Sequence, residues 1–237
     1  MRAVILAGGK GTRLKPFTVN FPKALVPLGD RPVLEVLIQR LVRCGITDIT
    51  LTLGHLAELI KAYFQHRREL VDKITLRYVQ EDEPTGTAGS LALVPDLRET
   101  FLAMNGDLLT DLDFRELVRF HREQRAALTI ATHARKVKMD LGVLEVGEGG
   151  RVTGYLEKPE HTYRVSMGIY VYEPAVLKHV PPGQYLDFPD LVLRLLAKGE
   201  RVCSYLADCL WLDIGRPDDY ARAQELFAER GEDFDRV

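Results

Sequence analysis

The sequence predicts an α/β protein with a mostly parallel central sheet covered by helices on both faces. Three observations support this. Short apolar runs alternate with stretches of helical period through the first half of the chain, at the spacing of strand–helix–strand units. The 237 residues suit one such domain, and at 46% hydrophobic and 28% charged they can bury a large core. No Pro/Ser linker or low-complexity stretch divides them, so one continuous domain, 1–237, is expected, with lobes at 1–125 and 126–237.

The elements follow in order. Arg2–Ala7 is a short apolar run that reads as the first strand. Between Pro32 and Val42, apolar residues at 33, 34, 37, 38, 41 and 42 fall on one helical face. Asp48–Leu53 is β-rich, Leu56–Phe64 returns to helical period, and Ile74–Val79 alternates as a strand does. Phe101–Met104 is a strand running into Asn105-Gly106-Asp107, and Asp113 is placed to cap a helix through Phe120. After about Ala126 the character changes. Leu128–Thr132, Leu141–Val146, Arg151–Glu157 and Met167–Tyr172 are strand-like, with a turn at Gly147 to Gly150, so this half reads as mixed or antiparallel. Asp187–Leu196 is helical in period, and Pro217 opens a final helix through Phe227.

The loop after the first strand carries most of the functional information. Leu6 and Ala7 lead into Gly8-Gly9-Lys10-Gly11-Thr12-Arg13-Leu14, and Pro22-Lys23-Ala24-Leu25 follows. Glycines let backbone N–H groups approach a phosphate chain, and Arg13 and Lys23 add two positive charges. That is equipment for holding a polyphosphate and stabilising charge on it during transfer. Two familiar phosphate loops do not fit. A P-loop requires Ser or Thr after its lysine, where this chain has Gly11. A dinucleotide fingerprint requires a third glycine where this chain has Leu14, and Gly54-His55, not an acidic residue, follows the second strand.

The whole string from Leu6 to Pro27, L-A-G-G-x-G-T-R-L-x-P through P-K-x-L-x-P, closely resembles the signature of the sugar-1-phosphate nucleotidylyltransferases, which make NDP-sugars. The resemblance implies a Rossmann-like three-layer α/β/α fold of the nucleotide-diphospho-sugar transferase type. It also implies a nucleotide-binding lobe followed by a sugar-phosphate lobe, and an NTP and a sugar 1-phosphate as substrates. Leu6, Ala7, Gly8, Gly9, Gly11, Thr12, Arg13 and Lys23 would then hold the nucleotide, with Arg13 and Lys23 acting on the transferred phosphate.

Further segments extend the resemblance to about Tyr220. Phosphoryl-type transfer between two anions calls for a divalent cation, and Mg²⁺ takes one or two carboxylates with substrate phosphates and water. Asp107, in N-G-D, and Asp213, in W-L-D-I-G, match the family's metal-binding aspartates; taken alone, Asn105-Gly106 also fits a hairpin turn. Gly86 and Thr87 lie in a G-T-A loop whose backbone groups read the base in the family, and Gln80 to Glu83 offer base or ribose contacts. Glu157-Lys158-Pro159 resembles an E-K-P element in which the glutamate meets sugar hydroxyls and the lysine the sugar phosphate. Gly142, Ser166 and Gly168 match sugar-contacting positions, although Ser166 replaces the Asn or Thr of many relatives. The E-x-x-P-x-G-T-A-G context favours GTP with a mannose- or heptose-like sugar 1-phosphate. UTP or dTTP with a glucose- or amino-sugar phosphate is the alternative.

Bulk properties bound the rest. Net charge is −2 and the pI is about 6.3, so there is no basic field for a nucleic-acid duplex. Cys44, Cys203 and Cys209 form no CxxC pair or zinc pattern, and buried free thiols are expected. No segment has a signal-peptide layout or the roughly 20 apolar residues of a membrane span, so a cytoplasmic protein without a membrane partner is expected. No hexapeptide repeat is present, so no left-handed β-helix tail is expected. The resemblance leaves a homodimer open. It also leaves open a regulatory subunit that binds an NDP-sugar without catalysis, although Arg13, Lys23, Asp107, Lys158 and Asp213 are all retained.

Overall fold

A computed structural model describes residues 1–234 except Lys10, Lys15 and Phe17, with no side-chain description at Glu232 and Asp233. Strand β1 (Arg2–Ala7) enters the glycine-rich loop; β2 (Pro27–Leu28) and β3 (Arg31–Pro32) form a small ribbon leading into α1 (Val33–Arg43). Then come β4 (Asp48–Leu53), α2 (Ala57–Gln65), α3 (Arg68–Val71), β5 (Thr75–Gln80) and α4 (Gly86–Gly89). Strand β6 (Phe101–Asn105), β7 (Leu108–Thr110) and α5 (Phe114–Gln124) follow, with Asp113 accepting from the Arg115 amide as the N-cap. The second half contains β8 (Leu128–Lys138), β9 (Val143–Val146), β10 (Val152–Leu156) and β11 (Glu160–Tyr172). Last are α6 (Phe188–Ala197), β12 (Val202–Leu206), β13 (Trp211–Asp213) and α7 (Pro217–Phe234).

Seven strands form one sheet in the order β12-β8-β11-β6-β1-β4-β5. The pairs β6/β1, β1/β4, β4/β5 and β8/β12 are parallel, and β11 runs against both its neighbours. Ile5, Leu51, Met104 and Ile169 face a core built with Leu37 and Leu41 of α1, Phe64 of α2 and Leu117 of α5. Val4, Ala103, Leu128 and Tyr172 face a second core with Leu91, Val94 and, from α6, Leu191 and Leu195. Helices therefore cover both faces, as the alternation of apolar runs predicts. A third core lies beyond one sheet face, where Phe227 and Ala223 of α7 pack on Leu14, Leu28, Leu109 and Ile214.

The strands of the second half run further than the sequence signals. The apolar runs mark Leu128–Thr132 and Met167–Tyr172, but β8 continues to Lys138 and β11 starts at Glu160. The extra length pairs Glu160 with Lys138 through Ser166 with Thr132 and projects as an arm. Most of it is exposed on both faces, so it lacks the alternation that marks a half-buried strand. The antiparallel β9–β10 hairpin lies between its two strands in sequence. Nor is Asn105-Gly106 a hairpin turn: β7 leaves β6 and pairs instead with β13. Among the described residues the three cysteines are free, Cys44 buried and Cys203 and Cys209 half-buried, and no helix is long and apolar enough to cross a membrane.

Candidate functional site

Parallel strands in register bring their C-terminal ends to one edge. Leu6 of β1 sits beside Thr52 of β4 and Asn105 of β6, and Thr52 sits beside Val79 of β5. The chain therefore leaves the sheet side by side at Gly8, Gly54, Glu81 and Gly106, where ligands gather in parallel α/β sheets. A cavity of about 990 Å³ opens there. A Cβ at Gly8 would lie 3.0 Å from Glu81 Oε1 and 3.3 Å from the Gly54 amide nitrogen, which fixes a residue without a side chain at that crossing. Gly11 has φ +59, and a Cβ there would meet Lys23 at 3.0 Å and Thr18 at 3.1 Å. The Thr18 hydroxyl donates to the Gly11 carbonyl at 2.6 Å, closing the loop on itself.

This loop aims Arg13 and Lys23 into the cavity, together with Gly9 and Thr12. Leu14, fully buried in the third core, anchors the backbone immediately after Arg13. Ile214, in the same core, anchors the residue after Asp213. The Ile214 amide donates to the Asp107 carbonyl at 3.0 Å, so the two aspartate-bearing strands are stitched together. Lys23 Nζ forms an ion pair with Asp107, both side chains being largely buried. Burial, and next the nearby charge of Asp107, push the Asp213 carboxyl above the usual aspartate range, against the pull of Lys23 and Arg13. A Cβ at Gly215 would lie 3.7 Å from the Arg13 guanidinium and 3.7 Å from Asp213 Oδ1, so both side chains lie beside this glycine. Two cations and two carboxylates thus share one small volume.

A second cavity of about 290 Å³ adjoins the first, and Thr87 and Asn105 line both. Its walls are aromatic. Tyr170 and Phe188 stack with ring centroids 3.8 Å apart, and the Trp211 indole donates to the Met167 carbonyl at 2.9 Å. Ser166 donates to the Tyr170 hydroxyl at 3.3 Å, and Gly168, at φ +71, leaves room for Asn105, whose Nδ2 lies 2.7 Å from a Cβ placed there. Asp213 lies in this wall and Asp107 in that of the larger cavity.

The structure brings Leu6, Ala7, Gly8, Gly9, Gly11, Thr12, Arg13 and Lys23 into the large cavity, with Gln80, Gly86, Thr87 and Asp107. It brings Ser166, Gly168 and Asp213 into the small one. Lys10 lies outside the described residues. Gly142, Glu157 and Lys158 line neither cavity. They lie at the far end of the arm, where six residues of extended chain, roughly 20 Å, separate Ser166 from Glu160. Lys158 is 55% exposed, pairs with Glu157 at 3.9 Å, and has φ +45, a strained value for a residue with a Cβ.

Several lining residues carry little signal of their own. Gly54 and His55 follow β4, and Tyr185 and Asp187 precede α6. Tyr170, Phe188, Pro189 and Trp211 read from the sequence as apolar strand or helix residues. Asp187 alone had a visible cue, an acidic residue before a helical period, but its carboxylate turns to Thr87 rather than to its own helix.

A family model for nucleotidyl transferases matches residues 2–230. The chain belongs to that family. A UTP–glucose-1-phosphate uridylyltransferase of Synechocystis is 34% identical over 94% of this chain and 62% of its own length. A mannose-1-phosphate guanylyltransferase of Mycobacterium tuberculosis is also 34% identical, over 93% of this chain and 62% of its own. The chain thus spans a little over three-fifths of these curated relatives. Among solved structures, HddC from Yersinia pseudotuberculosis complexed with GMP-PN has a TM-score of 0.74 at 26% identity, covering 95% of this chain and 99% of that one. A putative glucose-1-phosphate thymidylyltransferase from Bacillus anthracis has a TM-score of 0.77 at 25% identity, with 100% of both chains covered. Both solved structures thus share the fold over nearly the whole chain.

Proposed function

We propose that this chain transfers a nucleotidyl group from an NTP to a sugar 1-phosphate, forming a sugar nucleotide and releasing pyrophosphate. The observation that carries the proposal is the pair of adjoining cavities, the larger lined by Arg13, Lys23 and Asp107 and the smaller by Asp213, with the charges of all three acting on the Asp213 carboxyl. The larger cavity takes the nucleotide and the aromatic one the sugar. The attacking sugar phosphate is already ionised at neutral pH, so the reaction needs alignment and charge stabilisation rather than a strong general base. Arg13 steadies the α-phosphate and the departing pyrophosphate. Lys23 holds the α-phosphate, exchanging its contact with Asp107 for one with the substrate. Lys158 is assigned to the incoming sugar phosphate, which requires the arm to bend towards the cavities.

Asp107 and Asp213 suit Mg²⁺. Two carboxylates act on each other's charge here, and Asp213, made less acidic by burial and then by Asp107, gains from a further cation. Two carboxylates suit an ion whose remaining positions are completed by substrate phosphates and water. Bound there, the ion would supply neutralisation of phosphate charge and orientation of the reacting groups.

GTP is the preferred nucleotide in this reading. Glu81 lines the large cavity, with Oε2 accepting from the Thr85 hydroxyl at 2.8 Å and Oε1 turned towards Gly8. Guanine presents an N1–H and an amino group side by side, and a carboxylate accepts from both. Uracil and thymine present one N–H between two carbonyls, which repel it. Gln80, by contrast, accepts from Lys61 at 3.0 Å. The uridylyltransferase relative supports UTP with a glucose phosphate as the second reading, since its identity to this chain equals that of the guanylyltransferase. Pyrophosphate release with Mg²⁺, over four NTPs against mannose, glucose, N-acetylglucosamine and heptose 1-phosphates, tests both. Release in the GTP series supports the first and release in the UTP series the second. Silence throughout, with sugar nucleotides still bound, supports the regulatory alternative.

A further inference from the structure

Asp187 and Thr87 cap each other's helices. The Thr87 amide, in the first turn of α4, donates to Asp187 Oδ1 at 3.1 Å, and the Thr87 hydroxyl donates to the same oxygen at 3.3 Å. In return the Phe188 amide, first in α6, donates to Thr87 Oγ1 at 2.8 Å. The backbone reinforces the exchange: the Ala88 and Gly89 amides donate to the Leu186 carbonyl at 3.0 and 2.9 Å, and the Leu186 amide to the Thr85 carbonyl at 2.9 Å. Gly86, at φ +81, allows this approach, since a Cβ there would lie 2.5 Å from the Leu186 carbonyl oxygen. Tyr185 donates to the other Asp187 oxygen at 2.7 Å.

This cluster is the partition between the two cavities. Thr87 lines both, Asp187 and Tyr185 line the large one, and Phe188 lines the small one, stacked on Tyr170. Thr87 and Asp187 thus link the G-T-A loop directly to the start of α6. We propose that Asp187 is a positioning residue that couples the two cavities, so that a ligand in one raises affinity for a ligand in the other. This rests on the proposed transferase reading, because it takes the cavities as nucleotide and sugar-phosphate sites. The coupling is reciprocal, and its factor is the same whichever ligand is added first.

The test is calorimetric titration with α,β-methylene analogues of the four NTPs, which block turnover, in Mg²⁺. Mannose 1-phosphate and glucose 1-phosphate are titrated with and without each analogue. In the wild-type chain we expect sugar-phosphate affinity to rise at least fivefold with the matching analogue, the low end of typical coupling factors. In Asp187→Ala we expect the ratio to fall to about one, and in Asp187→Asn, which keeps one acceptor oxygen for Thr87, to recover in part. A merely structural role for Asp187 would lower thermal stability and leave the ratio intact, which would overturn the proposal. Should Asp187→Ala fail to fold, Thr87→Val removes the shared hydroxyl at nearly constant volume and is expected to give the same loss of coupling. Binding of a nucleotide without any coupling in the wild type overturns the inference alone. No binding of the α,β-methylene analogue of any of the four NTPs overturns the transferase reading and the inference with it.

Discussion

Arg13 and Asp213 both lie beside Gly215, and each is followed by a residue buried in the same core, Leu14 and Ile214. Their side chains are thus held while contributing little to packing. Arg13→Ala is expected to lower kcat by about 10²–10³, the cost of removing one preorganised charge-stabilising donor, with an unchanged circular dichroism spectrum. Asp213 behaves differently, because its carboxyl is raised by burial and then by Asp107. With the folded value above the unfolded one, the folded state binds the proton more readily, so this group's effect on stability is unfavourable once pH rises above its folded pKa. Asp213→Asn is therefore expected to raise Tm at neutral pH while lowering turnover; a variant both less stable and inactive would contradict this. The same sign predicts that the Mg²⁺ concentration for half-maximal rate rises as pH falls through the raised pKa. Glu81→Gln is expected to weaken the preference for GTP over UTP, read as a ratio of kcat/KM values. The phosphate loop and both aspartates were legible in the sequence because each sits in an uncommon string of residues. Trp211, Tyr170 and Phe188 were not, since an aromatic residue lining a cavity and one filling a core look alike in a strand or helix.

At the scale of elements, α7 joins the two halves of the site. Its Phe227 shares a buried cluster with Leu14 and Ile214, and Gly29, at φ +60, turns the β2–β3 ribbon against the Phe227 ring. Leu14→Ala is expected to cost about 2–5 kcal/mol, as for other buried Leu→Ala changes, and to lower activity further than stability alone explains, because it frees Arg13. Denaturant unfolding beside kcat separates the two effects. The arm formed by β8 and β11 was legible only in its buried base, since its exposed length carries no apolar period. At its far end lies Lys158, in a backbone conformation that costs energy and so points to a use. Lys158→Ala is expected to raise the sugar-phosphate KM about tenfold with the NTP KM unchanged. Amide exchange across residues 141–158 is expected to slow only with both substrates present.

For the whole molecule, the sheet order was beyond sequence reasoning although its strands were not. That β11 lies between β6 and β8 and runs against both depends on long-range pairing, which local period does not encode. This order places Gly168 beside Asn105, and so sets the aromatic cavity next to the larger one. On the α5 side, buried His121 ties α5 to the sheet, with Nδ1 2.8 Å from Thr129 and Nε2 3.1 Å from Glu173. Burial lowers its pKa, with Glu173 opposing. The unfolded chain therefore takes up a proton first, and stability present above about pH 6.5 declines as pH falls towards the folded value. Thermal melts from pH 7.5 to 5 are expected to show that decline, and His121→Gln to flatten it.

The proposed transfer breaks the bond between the α- and β-phosphates. With the NTP and sugar phosphate identified by pyrophosphate release, parallel reactions with α-³²P- and γ-³²P-labelled NTP test this directly. The α label is expected in the sugar nucleotide and the γ label in pyrophosphate, both dependent on Mg²⁺ and on the sugar phosphate. The γ label in a sugar product, or α-label release without a sugar acceptor, would contradict it.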